Sequence, residues 1–261
     1  MNLRFPFLVE CKQHVRRSEC VRVRYATWGA AFASFGRMVA MLVVAFALAP
    51  SASGLAAAAS HGTAAATLRW VEQLVVGLGL CPWATCDPER GFSLLVSSEA
   101  NEAMEMVASE AEGLAARAPK IRQPAGRPAN FFPTSLVVVE DESLVCDVGA
   151  FASFCRHAQR RVARGSAGGE VALLGFHPER LDRGPGCRPS DPSDAGHFSV
   201  RSPYPTVQVL LESDLVIARE QWAARRPDDD ESPGALGLLL ENKRRLRAIG
   251  SPRLRRMFST F

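Results

Sequence analysis

The chain lacks the short motifs that announce the common enzyme classes. It has no Gly-x-x-x-x-Gly-Lys phosphate loop, no Gly-x-Gly-x-x-Gly turn, no Gly-x-Ser-x-Gly nucleophile elbow and no His-Glu-x-x-His pair. There is no Cys-x-x-Cys and no second close Cys/His pair at ligand spacing, so no metal site is expected. The longest uncharged apolar run, Met38 to Ala49, is short against the roughly 20 residues of a spanning helix. A strong charge of one sign is missing from the larger part of the chain. The net charge is +4, yet residues 1–63 hold seven basic side chains against two acids. That surplus of five leaves residues 64–261 at −1. A near-neutral body removes the electrostatic argument for nucleic acid as a partner. No internal repeat is visible.

What residues 1–63 do have is the order of a sorting signal. An Arg-rich, acid-poor stretch ends at Arg37, the apolar run follows, and small residues extend from Pro50 to Ser60. This predicts a leader, secretory or organellar (plastid-type, with a transit segment ahead of the apolar run), and no stable membrane association after its removal. A membrane anchor over residues 38–58 is the competing reading, and translation from Met38 is a further one. Of the seven cysteines, five (Cys81, Cys86, Cys146, Cys155 and Cys187) follow the leader. The odd number leaves at least one thiol free or paired between chains.

Residues 64–261 read as a single layered α/β domain. Apolar residues at helical spacing predict a helix from Ala64 to Gly79, with Gly77, Gly79 and Pro82 ending it. A short strand over 91–97 precedes a helix capped by Ser98 that stops before Pro119. A Pro/Arg/Gly-rich linker spans Lys120 to Phe132. The β-branched run Thr134 to Val139 has the composition of a central strand buried on both faces. Asp147 is expected to cap the next helix, Val171 to Phe176 forms a third strand, and Thr206 to Leu211 a fourth. Ser213 is expected to cap a helix to Ala224. An acidic turn, Asp228 to Glu231, and a helix over 234–249 follow. The fourth strand arrives by a long loop, residues 178–205, so antiparallel pairing there would give a mixed, four-stranded sheet with flanking helices.

Several polar residues stand where chemistry is carried out. His177 directly follows the third strand, beyond the carboxyl end where open α/β sheets bind ligands. Arg201-Ser202-Pro203-Tyr204-Pro205 presents a guanidinium and a phenol on stiff backbone, suited to an anionic group. Glu72 is an isolated acid in an apolar helix, a general acid or base if buried. Cys81 ends that helix, where the dipole works against thiolate formation. The basic residues from Lys243 to Arg256 are expected on a solvated face.

Trp70 to Ala84 (including Cys81-Pro82-Trp83), Phe176-His177-Pro178 and Arg201 to Pro205 occur in an order that resembles an uncharacterised, mainly bacterial family known only as domain of unknown function 1415. The resemblance covers roughly residues 66–250. It implies that Asp194 and Asn242 are also family positions. It further implies a histidine and an arginine where this chain has Gln208 and Leu211, and an asparagine where it has Val200. No activity and no cofactor come with it. The leading expectation is a small-molecule site, enzymatic or binding, at the carboxyl edge of the sheet. Arg201, Tyr204 and Asn242 would bind a small anionic ligand, with His177, Cys81 and Glu72 as catalytic candidates. A non-catalytic binding or assembly protein, and thiol redox work by Cys81 with Cys86, are the alternatives.

Overall fold

The computed structural model describes residues 62–121, 132–188, 190–224 and 235–261. The leader (but for Gly62 and Thr63), most of the 120–132 linker and the acidic turn at Asp228–Glu231 lie outside the described residues. Four six-residue strands form one sheet: β1 (Phe92–Ser97), β2 (Thr134–Val139), β3 (Val171–Phe176) and β4 (Thr206–Leu211). Their order is β1-β2-β4-β3. β1 and β2 pair in parallel, and β4 runs antiparallel to both β2 and β3, so the sheet is mixed. The two central strands are almost wholly buried, whereas β3 is a half-exposed edge.

Period-2 alternation sorts each strand's side chains between two cores. Leu95, Val137, Val139, Val207, Val209 and Leu211 face the helices α2 (Ala100–Ile121) and α4 (Val148–Arg164). Phe92, Leu94, Val96, Leu136 and Val138 face the first helix, α1 (62–76), and Leu246 and Leu254 of α6 (Ala235–Ile249) and α7 (Ser251–Phe258). The result is a layered α/β domain with helices on both faces of the sheet.

Local chemistry sets the helix ends. At the start of α2 Asp141 takes the Ala100 N–H (3.2 Å), while Ser97 Oγ accepts the Glu99 N–H (3.1 Å) and donates to Glu102 (2.6 Å). The helix runs past Pro119 to Ile121, because a proline in the last turn removes a single backbone bond. Asp141 also caps a short helix absent from the sequence reading, α3 (Glu142–Cys146). Asp147 caps α4 as expected, accepting from Gly149 and Ala150. α5 (Glu212–Ala224) begins on Glu212, so Ser213 lies inside it instead of capping it. Gly175 in β3 gives α4 room, since a Cβ there would lie 2.8 Å from Cys155 Sγ.

α6 corrects the expectation of a solvated basic face. Lys243 is fully buried and pairs with Asp182 at 3.0 Å. It also donates to the Pro185 carbonyl. Arg247 forks onto both oxygens of Asp194, at 2.8 and 2.6 Å. Arg245 donates to the carbonyls of Leu78 and Gly79 (2.6 and 2.9 Å). Gly79 has φ +62°, and a Cβ there would meet Arg245 Nη1 at 2.9 Å. These bonds fasten the long loop and the end of α1 to one helix. Within the loop a 3₁₀ turn, Ala195–Val200, is capped by Asp194.

Removing one partner of the buried Lys243–Asp182 pair leaves an uncompensated charge. Lys243→Met is expected to lower unfolding free energy by about 3–5 kcal/mol in a denaturant titration, and adding Asp182→Leu to recover part of that loss.

Arg247, aided by the Gly196 N–H and opposed by burial, holds the Asp194 carboxyl well below the usual carboxylate range. A depressed folded-state pKa contributes stability above the unfolded value, about 3.9, that disappears as pH falls through the folded one. The stability gap between the native chain and Asp194→Asn should therefore shrink below about pH 4, measured as denaturant midpoint against pH.

Candidate functional site

The main cleft lies on the α1 side of the sheet and has a volume of about 270 Å³. Its floor is Leu136, Leu174, Phe176, Gln208 and Leu210 of β2, β3 and β4. Its walls are Trp70, Leu74 and Val75 of α1, Cys81 and Trp83 of the following turn, Phe132, Phe198, Asp214 of α5 and Asn242 of α6. Phe92 and Thr134, the first residues of β1 and β2, line it together with Phe176, the last residue of β3, so it spans the sheet face from the amino ends of β1 and β2 to the carboxyl end of β3.

α1 is shaped for this position. It is α-helical over 62–70 and widens into a π segment, Val71–Val76, closed by Gly77 N–H to the Glu72 carbonyl at 2.9 Å. Such wide turns recur at functional sites because they displace side chains from the regular spiral. Here the segment supplies Val71, Leu74 and Val75 to the cleft.

Two of the residues that line this space hold a buried polar atom without a partner. Asn242 is nine-tenths buried; its Nδ2 donates to the Leu80 carbonyl at 2.6 Å, which leaves Oδ1 with no hydrogen-bond partner. Trp70 is 4% exposed, packs edge-on against Phe176, and its indole N–H has no partner either. By contrast, the Trp83 N–H bonds Gln221 at 2.8 Å. Gln208, at the place where the resemblance implied histidine, lines the cleft and donates to Thr134 Oγ1 at 3.1 Å. Leu211, where an arginine was implied, is buried on the opposite face. Among the described residues, no lysine, arginine or histidine lines the cleft.

The expected site residues do not gather in one place. Cys81 and Asn242 share the cleft. Glu72 is exposed on the outer side of α1. His177 follows Phe176 in β3, so alternation turns it to the α4 side, where it is fully buried 5.5 Å from Phe151. Its Nδ1 accepts the Glu179 N–H (3.1 Å), which leaves Nε2–H to donate to the Leu144 carbonyl (3.0 Å). Burial lowers its pKa, so the ring is a neutral brace between β3 and α3. His197 is used the same way, accepting from Asp182 N–H and donating to the Asp191 carbonyl. Tyr204 packs on the α1-side core, outside the cleft. Arg201 lies beyond the carboxyl end of β3 with its guanidinium over Phe198.

All five described cysteines are free thiols. Burial raises the Cys81 pKa, and backbone bonds from Trp83 and Ala84 offset this in part. Burial, then Glu72, pushes Cys86 up to about 11. Neither environment favours a thiolate at neutral pH.

The fold and cleft define a layered α/β protein with a largely apolar cleft beneath its first helix. The profile of a protein family of unknown function, DUF1415, matches residues 62–230, and the chain belongs to that family. α6 and α7, which supply Asn242, Leu246 and Leu254 to the cleft and the core behind it, lie beyond the matched residues. Neither the curated proteins nor the solved structures contain a match.

With iodoacetamide at pH 7.5, peptide mapping should show exposed Cys146 alkylated well before Cys81, and the Cys81 rate climbing as pH rises above 9. Rapid labelling of Cys81 at neutral pH would contradict the described burial.

Proposed function

We propose that the protein binds a small, uncharged, largely apolar molecule in the cleft beneath α1. The ligand presents one acceptor to the Trp70 indole N–H and one donor to Asn242 Oδ1. The observation that carries this reading is the pair of buried polar atoms left without partners in the wall of an apolar space. Buried donors and acceptors are nearly always satisfied, and leaving one unmade costs about 1–3 kcal/mol. A ligand that supplies both bonds removes that cost and gains apolar burial as well. Aromatic lining with a few fixed polar groups is the usual composition of such pockets.

The chemistry of the walls selects a neutral ligand. With no cation on the lining among the described residues and Asp214 part of it, an anion would enter without a counter-charge from them. Cys81 contributes a polarisable contact at the edge of the space and Gln208 a second amide.

Quinoline, which has a ring acceptor, and naphthalene, which has none, separate the parts of this reading. Both are expected to bind saturably with a change in tryptophan fluorescence, quinoline about tenfold tighter, the worth of one well-made buried hydrogen bond. Trp70→Phe keeps the ring packing and should erase that preference while naphthalene binding persists. Absence of saturable binding by both probes would overturn the assignment.

A further inference from the structure

A second group of residues lies on the far side of the cleft wall. Phe198 lines the cleft and carries the Arg201 guanidinium over its ring, 4.9 Å from the centroid. Phe258 of α7 packs edge-on against the same ring at 4.9 Å. Arg201 Nε donates to the Arg180 carbonyl at 3.1 Å. Its backbone is extended at the end of the 3₁₀ turn, between that turn and the fully buried Ser202. One N–H and one face of the guanidinium are thus engaged and its orientation is set. The four N–H bonds of the two terminal nitrogens are left for another acceptor.

Among the described residues, no carboxylate comes within ion-pair distance of Arg201. In this it differs from the cations of α6: Lys243 has Asp182, Arg245 has Glu241 and Arg247 has Asp194. The charged groups acting on Arg201 are Arg255 of α7, which opposes its charge, and Glu179, which favours it from an exposed position. Burial also works against the charged form. Phe258, one turn on from Arg255 in α7, packs on the ring that carries Arg201, and a half-buried guanidinium in the field of a like charge, with no described acid bonded to it, is relieved by an added anion.

We propose that Arg201 and Arg255 form an oxyanion-binding site beyond the carboxyl end of β3, distinct from the apolar cleft. Its ligand is the phosphate or carboxylate group of a small molecule. Arg201 supplies a preorganised fork and Arg255 a second, exposed cation. The stiff Ser202-Pro203-Tyr204-Pro205 segment keeps the fork in place with little ordering cost.

The test uses the full 261-residue chain with inorganic phosphate, malonate and chloride at matched ionic strength and pH. Binding is followed by the Arg201 Nε–Hε resonance and by melting temperature. Phosphate or malonate should titrate that resonance to saturation and raise the melting temperature beyond chloride. The larger response of the two identifies the oxyanion class. Apparent affinity should fall about tenfold or more in Arg201→Gln and in Arg255→Gln, and stay unchanged in Arg253→Gln, an exposed cation of the same helix. Arg255 is exposed, so its variant decides the matter if Arg201→Gln fails to fold. A response equal to that of chloride, or one equally strong in Arg255→Gln and Arg253→Gln, overturns the proposal. Naphthalene binding in the cleft should be the same in Arg255→Gln, which separates this site from the other.

Discussion

The polar side of α6 holds the molecule's least regular segments in place. Within a turn and a half, Asn242 and Arg245 take the carbonyls of Leu78, Gly79 and Leu80, while Lys243 and Arg247 take Asp182 and Asp194. Residues three and four apart on a helix share a side, so one element satisfies the end of α1 and the long loop together. Leu246, between these polar positions, is fully buried in the α1-side core. The arrangement costs desolvation of charge, and the partners repay it only because each oxygen and ammonium is bonded.

This clamp also shapes the cleft and the position of Arg201. It draws the Leu80–Cys81 turn against Asn242 and so closes one wall of the cleft. It pulls the 3₁₀ turn beneath α6, which places Phe198 between the apolar space and Arg201. Two environments of opposite character then lie back to back on one aromatic ring. One is apolar, with a lone donor and a lone acceptor; the other is cationic. His177 and His197 take no part in either, since both rings spend their nitrogens on backbone groups.

Much of the sheet was legible because its code is local. The β-branched run of β2 and the alternation of β4 state their burial directly, and both were read to the residue. Capping by Asp147 is equally local, one carboxylate and the N–H groups two and three residues on. The reading went astray where a distant segment intervenes. Asp141, just past the end of the neighbouring strand β2, takes the first N–H of α2, a partner that the residues around Ser98 do not announce. Lys243 looked solvated because its partner, Asp182, is some sixty residues away.

The site followed the same division. Cys81, Asn242 and Arg201 were recognisable as residues of interest, and the order of motifs was enough to name the family. Their grouping was not recoverable from spacing. His177 and Phe176 are neighbours in the chain, yet the pleat sends one to each face of the sheet, and the histidine goes to the side away from Cys81. The chain's own pattern determined strands, helices and a mixed α/β layout, because backbone preference and hydrophobic period act over a few residues. Which polar groups end up buried without a partner, and which share a pocket, only the tertiary packing decided, because hydrogen bonds and ion pairs are completed by atoms remote in sequence.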